Sequence, residues 1–425
     1  MENAIGGKMV GTYGHTGMKC GLLGRKLGHS FSPQIHSYLA DYSYVLFEKE
    51  PEHVEDFLKN GDFDAINVTI PYKKNAFEVC DEVSEIAAKI GSVNTVVKKN
   101  GYLKGYNTDY YGFSYLVKKG GFDKDLSKGK ALVLGSGGSS VTVCAVLRDM
   151  GAKEVVVISR SGADNYENIY DKHNDAMFVV NTTPLGMYPN NGEAAVDLEK
   201  LPACRGVIDI IFNPAKTKLL LDAERLGIPC VNGLAMLVAQ AKQACEFFTD
   251  SKIDDSVIDP ITCRIESETK NIILIGMPGC GKTTVGTSLS QKLSRPFVDI
   301  DLEIEARIGM SICDYFKESG EPAFRKIETE VLDEFSRKSG LIIATGGGVI
   351  KNPANLPFMR QNGVVVMLNR PVSELPTDGR PISMSCSLEK LEKERLPIYN
   401  AWKDLSVKAG KPEDTAEEII KKLIV

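Results

Sequence analysis

Twice along this chain a short aliphatic run ends in a glycine-rich turn and reopens as a helical pattern. The first is Ala131 to Leu134, leading into Gly135-Ser136-Gly137-Gly138, and the second is Asn271 to Ile275, leading into Gly276-Met277-Pro278-Gly279-Cys280-Gly281-Lys282-Thr283. A strand that turns through glycines straight into a helix leaves the helix's first amide groups aimed at one spot, where a phosphate fits. Such strands pair in parallel through crossover helices, so the feature restricts the chain to α/β architecture and asks for it twice. The loops differ in design: the first suits a dinucleotide and the second a nucleoside triphosphate. Two chemistries on one chain are the expectation.

At 425 residues the chain has room for roughly three domains of about 150 residues each. Its 43% apolar and 25% charged content is ordinary for a folded globular protein. The net charge of -5, with no sustained Lys/Arg block, excludes an electrostatic case for nucleic acid or an anionic membrane, so the expected partners are small molecules. Ten cysteines are scattered without a C-x-x-C pair, and no secretory leader is read at the start. Reduced thiols and a cytoplasmic location follow as expectations. His29 and His36 are not completed into a metal site by any neighbouring pattern. Apolar runs such as Leu341 to Ala344 and Val364 to Leu368 are of strand length, far below the roughly 20 residues that span a bilayer.

Residues 1–17 carry glycines without periodicity and read as a loose extension. From Met18 to about Gly120 strand and helix patterns alternate: Ala65 to Ile70 reads as a strand stopped by Pro71, and Asn75 to Gly91 as one helix ended by glycine. Between Lys130 and Asn232 aliphatic runs recur with helical intervals, as in a parallel sheet. Ala235 to Phe248 is a helix with no strand after it, and the polar segment 251–270, which holds Pro260, reads as a linker. A second α/β block begins at Asn271.

At the end of the strand after the first loop, a free ribose 2′-hydroxyl calls for an acidic residue, whereas this chain has Ser159-Arg160-Ser161. Arg160 favours a 2′-phosphate, hence NADP(H). Upstream lie Gly28-His29-Ser30-Phe31-Ser32-Pro33, Asn67-Val68-Thr69-Ile70-Pro71-Tyr72-Lys73, Ser92-Val93-Asn94-Thr95 and Asn107-Thr108-Asp109, each where an element gives way to a loop. Singly, each has a turn or capping explanation, Asp109 as an N-cap for a helix from Tyr110 among them. Together, their hydroxyls, amides, lysine and carboxylate suit a polyhydroxylated ligand.

With Asn181-Thr182-Thr183-Pro184-Leu185-Gly186-Met187 and Asn232-Gly233-Leu234-Ala235-Met236-Leu237-Val238-Ala239-Gln240-Ala241 following in order, residues from about 18 to 248 resemble shikimate dehydrogenase. The resemblance implies reduction of 3-dehydroshikimate by NADPH in a two-domain unit: 18–115 with 234–250 as the substrate domain, and 116–233 as a Rossmann domain. It implies that Ser30 and Ser32 hold the substrate carboxylate, that Asn94, Asp109 and Gln240 hold its hydroxyls with Thr69 beside them, and that Lys73 is catalytic and paired with Asp109. Gly135, Ser136, Gly137, Gly138, Ser139, Arg160 and Gly233 would hold the cofactor. An ammonium group suits the task, because the ketone oxygen becomes an alkoxide during reduction. The chain departs from the family in having Phe212 where a tyrosine is usual, and Ser159 and Ser161 around the arginine.

The second loop fits G-x-x-x-x-G-K-[ST] between a strand and a helix pattern, the context of a P-loop. Backbone amides over Gly279, Cys280, Gly281 and Thr284 would cradle phosphates of ATP, Lys282 would reach the β/γ oxygens, and the Thr283 hydroxyl would bind Mg2+. Val298-Asp299-Ile300-Asp301, Phe324-Arg325-Lys326-Ile327-Glu328 and Thr345-Gly346-Gly347-Gly348 follow, so residues 271–425 resemble shikimate kinase, a P-loop domain with a parallel sheet. The resemblance implies Asp299 orienting the metal through water, Asp301 holding and acting on the acceptor hydroxyl, Gly347 touching shikimate, and Arg325 and Arg395 forking onto its carboxylate. Arginine's planar donors match a carboxylate in that way. Arg380 corresponds to the lid arginine that neutralises the transferring phosphate. The stretch from Leu368 to Asp378 is short, the usual adenine-side arginine-threonine pair is absent, and Arg370 stands in its place by position.

The reading is a bifunctional enzyme making shikimate and then its 3-phosphate. Alternatives are a first half acting on quinate or an aminoshikimate, or a silent sensor of these metabolites. The presence of Lys73, Asp109, Lys282, Asp299, Asp301 and Arg325 argues against the sensor, which needs ligand contacts but not reactive groups.

Overall fold

The computed structural model describes residues 17–28, 30–375 and 388–424, and divides into two compact units. The first comprises the chain up to Leu185 with Glu193–Phe212 and Asp222–Arg264; the second comprises Gly186–Gly192, Asn213–Leu221 and Ile265–Val425.

The first unit holds two sheets. One is mixed and six-stranded, in the order β2-β1-β3-β5-β6-β4, from β1 (Lys19–Gly24), β2 (Ser43–Glu48), β3 (Ala65–Val68), β4 (Glu82–Val83), β5 (Thr95–Lys99) and β6 (Tyr102–Tyr106). The other is wholly parallel, in the order β11-β10-β9-β7-β8, from β7 (Lys130–Leu134), β8 (Glu154–Ile158), β9 (Phe178–Asn181), β10 (Gly206–Asp209) and β11 (Cys230–Val231). Strand order reverses at β7, and the Gly135 loop leaves its carboxyl end, where α/β sheets of this kind bind ligands. Strands buried on both faces read as continuous aliphatic runs, and β7 has four consecutive buried residues for this reason.

The second unit repeats the arrangement in one parallel sheet, β13-β14-β12-β15-β16, from β12 (Asn271–Ile275), β13 (Phe297–Asp299), β14 (Ile342–Ala344), β15 (Gly363–Asn369) and β16 (Leu405–Lys408). All five residues of β12 are buried at the centre of the unit's core. Each of its aliphatic side chains contributes on the order of 1.5–3 kcal/mol by leaving water. That rigid strand aims the second loop.

Two expectations are corrected. The single helix from Asn75 to Gly91 is two, Lys73–Val79 and Glu85–Ile90, with β4 between them. The Asp81 backbone N–H and carboxylate both bond to Leu103, drawing Glu82 and Val83 into pairing with β6, and Ser84 then caps the next helix by accepting from the Ala87 N–H. The segment read as a linker is mostly the helix Ile258–Thr269. Ile258, Ile261 and Ile265 form its buried stripe, and Pro260 falls in the first turn, where its missing N–H costs nothing. Among the described residues no helix is long and apolar enough to cross a membrane, and no cluster of His, Cys, Asp and Glu could hold a metal ion.

Candidate functional sites

In the first unit Lys73 and Asp109 each begin a helix, Lys73–Val79 and Asp109–Lys119, and their side chains meet at 2.6 Å while staying partly exposed. A carboxylate is favoured at a helix start and an ammonium is not, so the ion pair with Asp109 offsets that placement and orients the Lys73 side chain. The alternative capping explanation for Asp109 does not form: Asn107 Oδ1 takes the Tyr110 N–H, and Asp109 is the first helical residue.

Asn94 precedes β5 and is buried, with Oδ1 accepting the Thr108 N–H at 2.7 Å and Nδ2 donating to Thr108 Oγ1 at 3.0 Å. Gln240, on the helix Leu234–Thr249, accepts from Thr108 Oγ1 at 3.3 Å. Thr108 thus joins Asn94 to Gln240. Ser30 Oγ accepts the Ser32 N–H at 3.2 Å at the start of the helix Ser32–Leu39, where Ser32 is buried. The Thr69 backbone ties β1 to the Lys73 helix, donating to Leu23 O and accepting from the Tyr72 N–H. Phe31 and Phe212 lie with ring centroids 5.6 Å apart. Tyr44, which donates to Asn67 Oδ1, and Thr95 and Thr108, which bond to Asn94, had no role in the sequence reading, because Tyr44 reads as an ordinary strand aromatic and the threonines as filler within their motifs.

Gly135 has φ +99°, and a Cβ there would lie 2.8 Å from Thr183 Cγ2, so the turn admits no side chain. At Gly137 and Gly138 a Cβ would meet nothing within 4 Å, which leaves open space over the start of the helix Gly138–Asp149. Ser136 and Arg160 are exposed and Ser139 partly so, with Arg160 just beyond β8. Gly233 starts the Gln240 helix as its N-cap, closely packed on Ile210.

In the second unit a cavity of about 670 Å³ opens over the P-loop. Its lining includes Gly279, Gly281, Lys282, Thr283, Thr284, Asp299 and Asp301 together with Arg325, Glu328, Gly347, Arg370 and Arg395. Lys282 Nζ donates to the loop carbonyls of Gly276 and Met277, at 2.9 and 3.1 Å. Cys280 is buried inside the loop. Thr283 Oγ1 donates to Asp299 Oδ2 at 2.7 Å, and Asp299 Oδ1 caps the next helix through the Asp301 N–H. Burial first, and the neighbouring Asp299 carboxylate second, push the Asp301 carboxyl above its usual range.

Arg325 stands beyond a break at Gly320 in the helical run Ile312–Ser336, paired with Glu328 at 2.7 Å and Glu321 at 3.0 Å. Burial lifts the Glu328 carboxyl to about 7 against the pull of the Arg325 guanidinium. A Cβ at Gly346 would lie 2.7 Å from Asp301 Oδ1 and 2.9 Å from Glu328 Oε1, so only glycine lets both carboxylates crowd that turn. Arg395 is buried and donates to the Gly347 carbonyl at 2.8 Å, which also accepts from the Tyr399 hydroxyl. Glu328 had no role in the sequence reading, although it closes the Phe324-Arg325-Lys326-Ile327-Glu328 motif. Arg380 lies outside the described residues.

Two family profiles match the chain: the shikimate dehydrogenase substrate binding domain over residues 22–96 and shikimate kinase over residues 278–424. A curated shikimate dehydrogenase (NADP(+)) of Clostridium perfringens is 34% identical over 268 residues, covering 57% of this chain and 98% of the relative. A solved chorismate mutase/shikimate 5-dehydrogenase fusion protein from Clostridium acetobutylicum is similar at a TM-score of 0.55 and 35% identity, over 58% of this chain and 97% of that one. A shikimate 5-dehydrogenase from Thermus thermophilus, solved in complex with NADP(H) and shikimate, is similar at 0.52 and 30%, over 58% and 99%.

Proposed function

The chain belongs to the shikimate dehydrogenase family and carries a shikimate kinase domain after it, and from that premise we propose that it performs two consecutive steps. It reduces 3-dehydroshikimate to shikimate with NADPH, then phosphorylates shikimate to shikimate 3-phosphate with ATP. The observation that carries this reading is that both reactive sets stand assembled: Lys73 against Asp109 in the first unit, and Lys282, Thr283, Asp299 and Asp301 around one cavity in the second.

In the reductase, the glycine turn with its open helix start fits a pyrophosphate, so Gly135, Ser136, Gly137, Gly138 and Ser139 would hold NADP(H), with Gly233 nearby and Arg160 on the 2′-phosphate. When bound, the reduced nicotinamide supplies the hydride. Ser30 and Ser32 bind the substrate carboxylate, while Thr69, Asn94, Asp109 and Gln240 bind its oxygens. Lys73 Nζ holds a proton against the ketone oxygen and stabilises the charge that gathers there, while Asp109 fixes that ammonium in place.

In the kinase, the cradle of Gly279, Cys280, Gly281 and Thr284 suits ATP, and the Thr283–Asp299 oxygen pair suits Mg2+. Lys282 leaves its loop carbonyls for the β/γ oxygens. Arg325 and Arg395 bind the shikimate carboxylate beside Gly347, and Asp301, with its raised proton affinity, accepts the proton of the attacking hydroxyl. Arg380 would supply the lid charge. The cytoplasm is the location this reading assigns, because cysteines scattered without a C-x-x-C pair suit a reducing compartment.

The test supplies 3-dehydroshikimate, NADPH, ATP and Mg2+ to the wild type, Lys73→Ala and Lys282→Ala. NADPH oxidation falls by about 10²–10⁴-fold in the first variant only, and ADP formation from shikimate by about 10²–10³-fold in the second only. Loss of both activities in either variant sinks the assignment of one reaction to each unit.

A further inference from the structure

The hydrogen bonds behind the first site fix the orientation of the Asn94 amide. The Thr108 backbone N–H can only donate, so the Asn94 atom facing it at 2.7 Å is the oxygen, Oδ1. The Thr95 hydroxyl donates to that same oxygen at 3.0 Å and fills its second lone pair. Asn94 Nδ2 donates to Thr108 Oγ1 at 3.0 Å, and the Thr108 hydroxyl in turn reaches Asn94 Oδ1 at 3.2 Å and Gln240 Oε1 at 3.3 Å. Gln240 Nε2 donates in turn to the Leu237 carbonyl at 2.9 Å, an atom that can only accept. Upstream, Thr95 Oγ1 receives Asn67 Nδ2 at 3.1 Å, and Asn67 Oδ1 receives the Tyr44 phenol at 2.7 Å. Asn67, Asn94, Thr95, Thr108 and Gln240 are all buried, so water offers none of them an alternative partner.

Counting donors and acceptors along this path decides what Asn94 has left. Both lone pairs of its oxygen are taken and one of its two N–H groups is used, so a single N–H remains. Lys73, bound to Asp109, likewise has only N–H groups to offer. A flipped Asn94 amide would set its NH₂ against the Thr108 N–H, two donors face to face in a buried place, which the network forbids.

We infer that Asn67, Thr95 and Thr108 are positioning residues that lock the Asn94 amide as a donor, so the ring position it reads must carry an acceptor oxygen and not an ammonium. The inference rests on the reductase reading and narrows its substrate class: a hydroxylated ring is accepted and its amino counterpart refused. An ammonium at that position would face donors from Asn94 and Lys73, with only the Asp109 carboxylate, already engaged by Lys73, to accept its hydrogens.

The experiment is steady-state kinetics of NADPH oxidation by the full chain carrying Thr95→Val or Thr95→Ser, using 3-dehydroshikimate and analogues with an amine in place of each ring hydroxyl in turn. Thr95→Val raises KM for 3-dehydroshikimate by about tenfold, the loss of one buried hydrogen bond, with kcat and the KM for NADPH within about twofold, while Thr95→Ser restores it. Wild type disfavours at least one amine analogue by about 10²-fold or more, and Thr95→Val narrows that gap by about tenfold. A KM within twofold of wild type in Thr95→Val, equal impairment by Val and Ser, or wild-type turnover of every amine analogue at the parent's rate overturns the inference. Should Thr95→Val fail to fold, Tyr44→Phe repeats the test from the head of the path, where a rise in KM of about threefold is expected and an unchanged KM overturns it. A wild type that oxidises no NADPH with 3-dehydroshikimate removes the reductase reading itself, which is a different failure.

Discussion

The two sites prepare for their ligands in opposite ways. In the reductase site the buried amides and hydroxyls already have partners, and the Lys73 charge is met by Asp109. In the kinase cavity Glu328 Oε1 and Arg395 Nε and Nη2 are buried without hydrogen-bond partners, and two carboxylates crowd Gly346. The ring hydroxyls of the reductase substrate are read by donors fixed in advance. A triphosphate and a metal ion instead bring charge, and that cavity keeps donors and acceptors without hydrogen-bond partners for its ligands to satisfy.

The sharpest way to break this contrast is to neutralise one carboxylate in each site. Asp301→Asn lowers ADP formation from shikimate by about 10²–10⁴-fold, yet leaves the second unit no less stable to urea, because it relieves the repulsion from Asp299. Asp109→Asn lowers reductase activity and also weakens the first unit, because it strands the Lys73 ammonium at a helix start. If Asp301→Asn weakens its unit as well, the second site is no store of uncompensated charge.

Acid should separate the units next. Burial holds the His36 imidazole down at about 3 from an ordinary 6.5, so its contribution to the first unit is full above about 6.5 and is lost as pH falls. Glu328 is lifted to about 7 from 4.5, so its contribution to the second unit is full below about 4.5 and is lost as pH rises toward 7. Between pH 7 and pH 5 the first unit weakens and the second strengthens, each by an amount on the order of a few kcal/mol. Residual reductase and kinase activities after heating report the two trends. His36→Phe and Glu328→Gln each flatten one trend alone, and parallel trends in the wild type would count against both assignments.

The smallest effect concerns Phe212, where the family's usual tyrosine is missing. Phe212→Tyr adds a hydroxyl beside Phe31 and lowers the KM for 3-dehydroshikimate by about two- to tenfold, the worth of one hydrogen bond. No change in KM would mean that the Asn94, Gln240 and Lys73 donors already saturate the ring.

Much of this was legible in the chain itself. Strand, glycine turn and helix at Ala131 and Asn271 appear where the aliphatic runs and glycines placed them. The failures were at places ruled by distant partners. The helix read through Cys80 breaks because Asp81 pairs with Leu103, and the polar 251–270 segment is helical because its few isoleucines share a stripe that packing rewards. Arg370, chosen by position alone, does line the kinase cavity, whereas Glu328 was passed over because a lone glutamate carries no sign that it will be buried beside Asp301.

Periodicity and turn chemistry are local, so the sequence by itself determined two α/β nucleotide loops, the residue types of both reactions and their order along the chain. Only the tertiary structure decided which side chains meet. Lys73 reaches Asp109 across 36 positions, and Thr108 reaches Gln240 across 132, because sheet order and helix packing bring their starting points together. The direction of each hydrogen bond was settled there too, since an amide's orientation depends on the backbone N–H or carbonyl opposite it, and no spacing in the sequence records that.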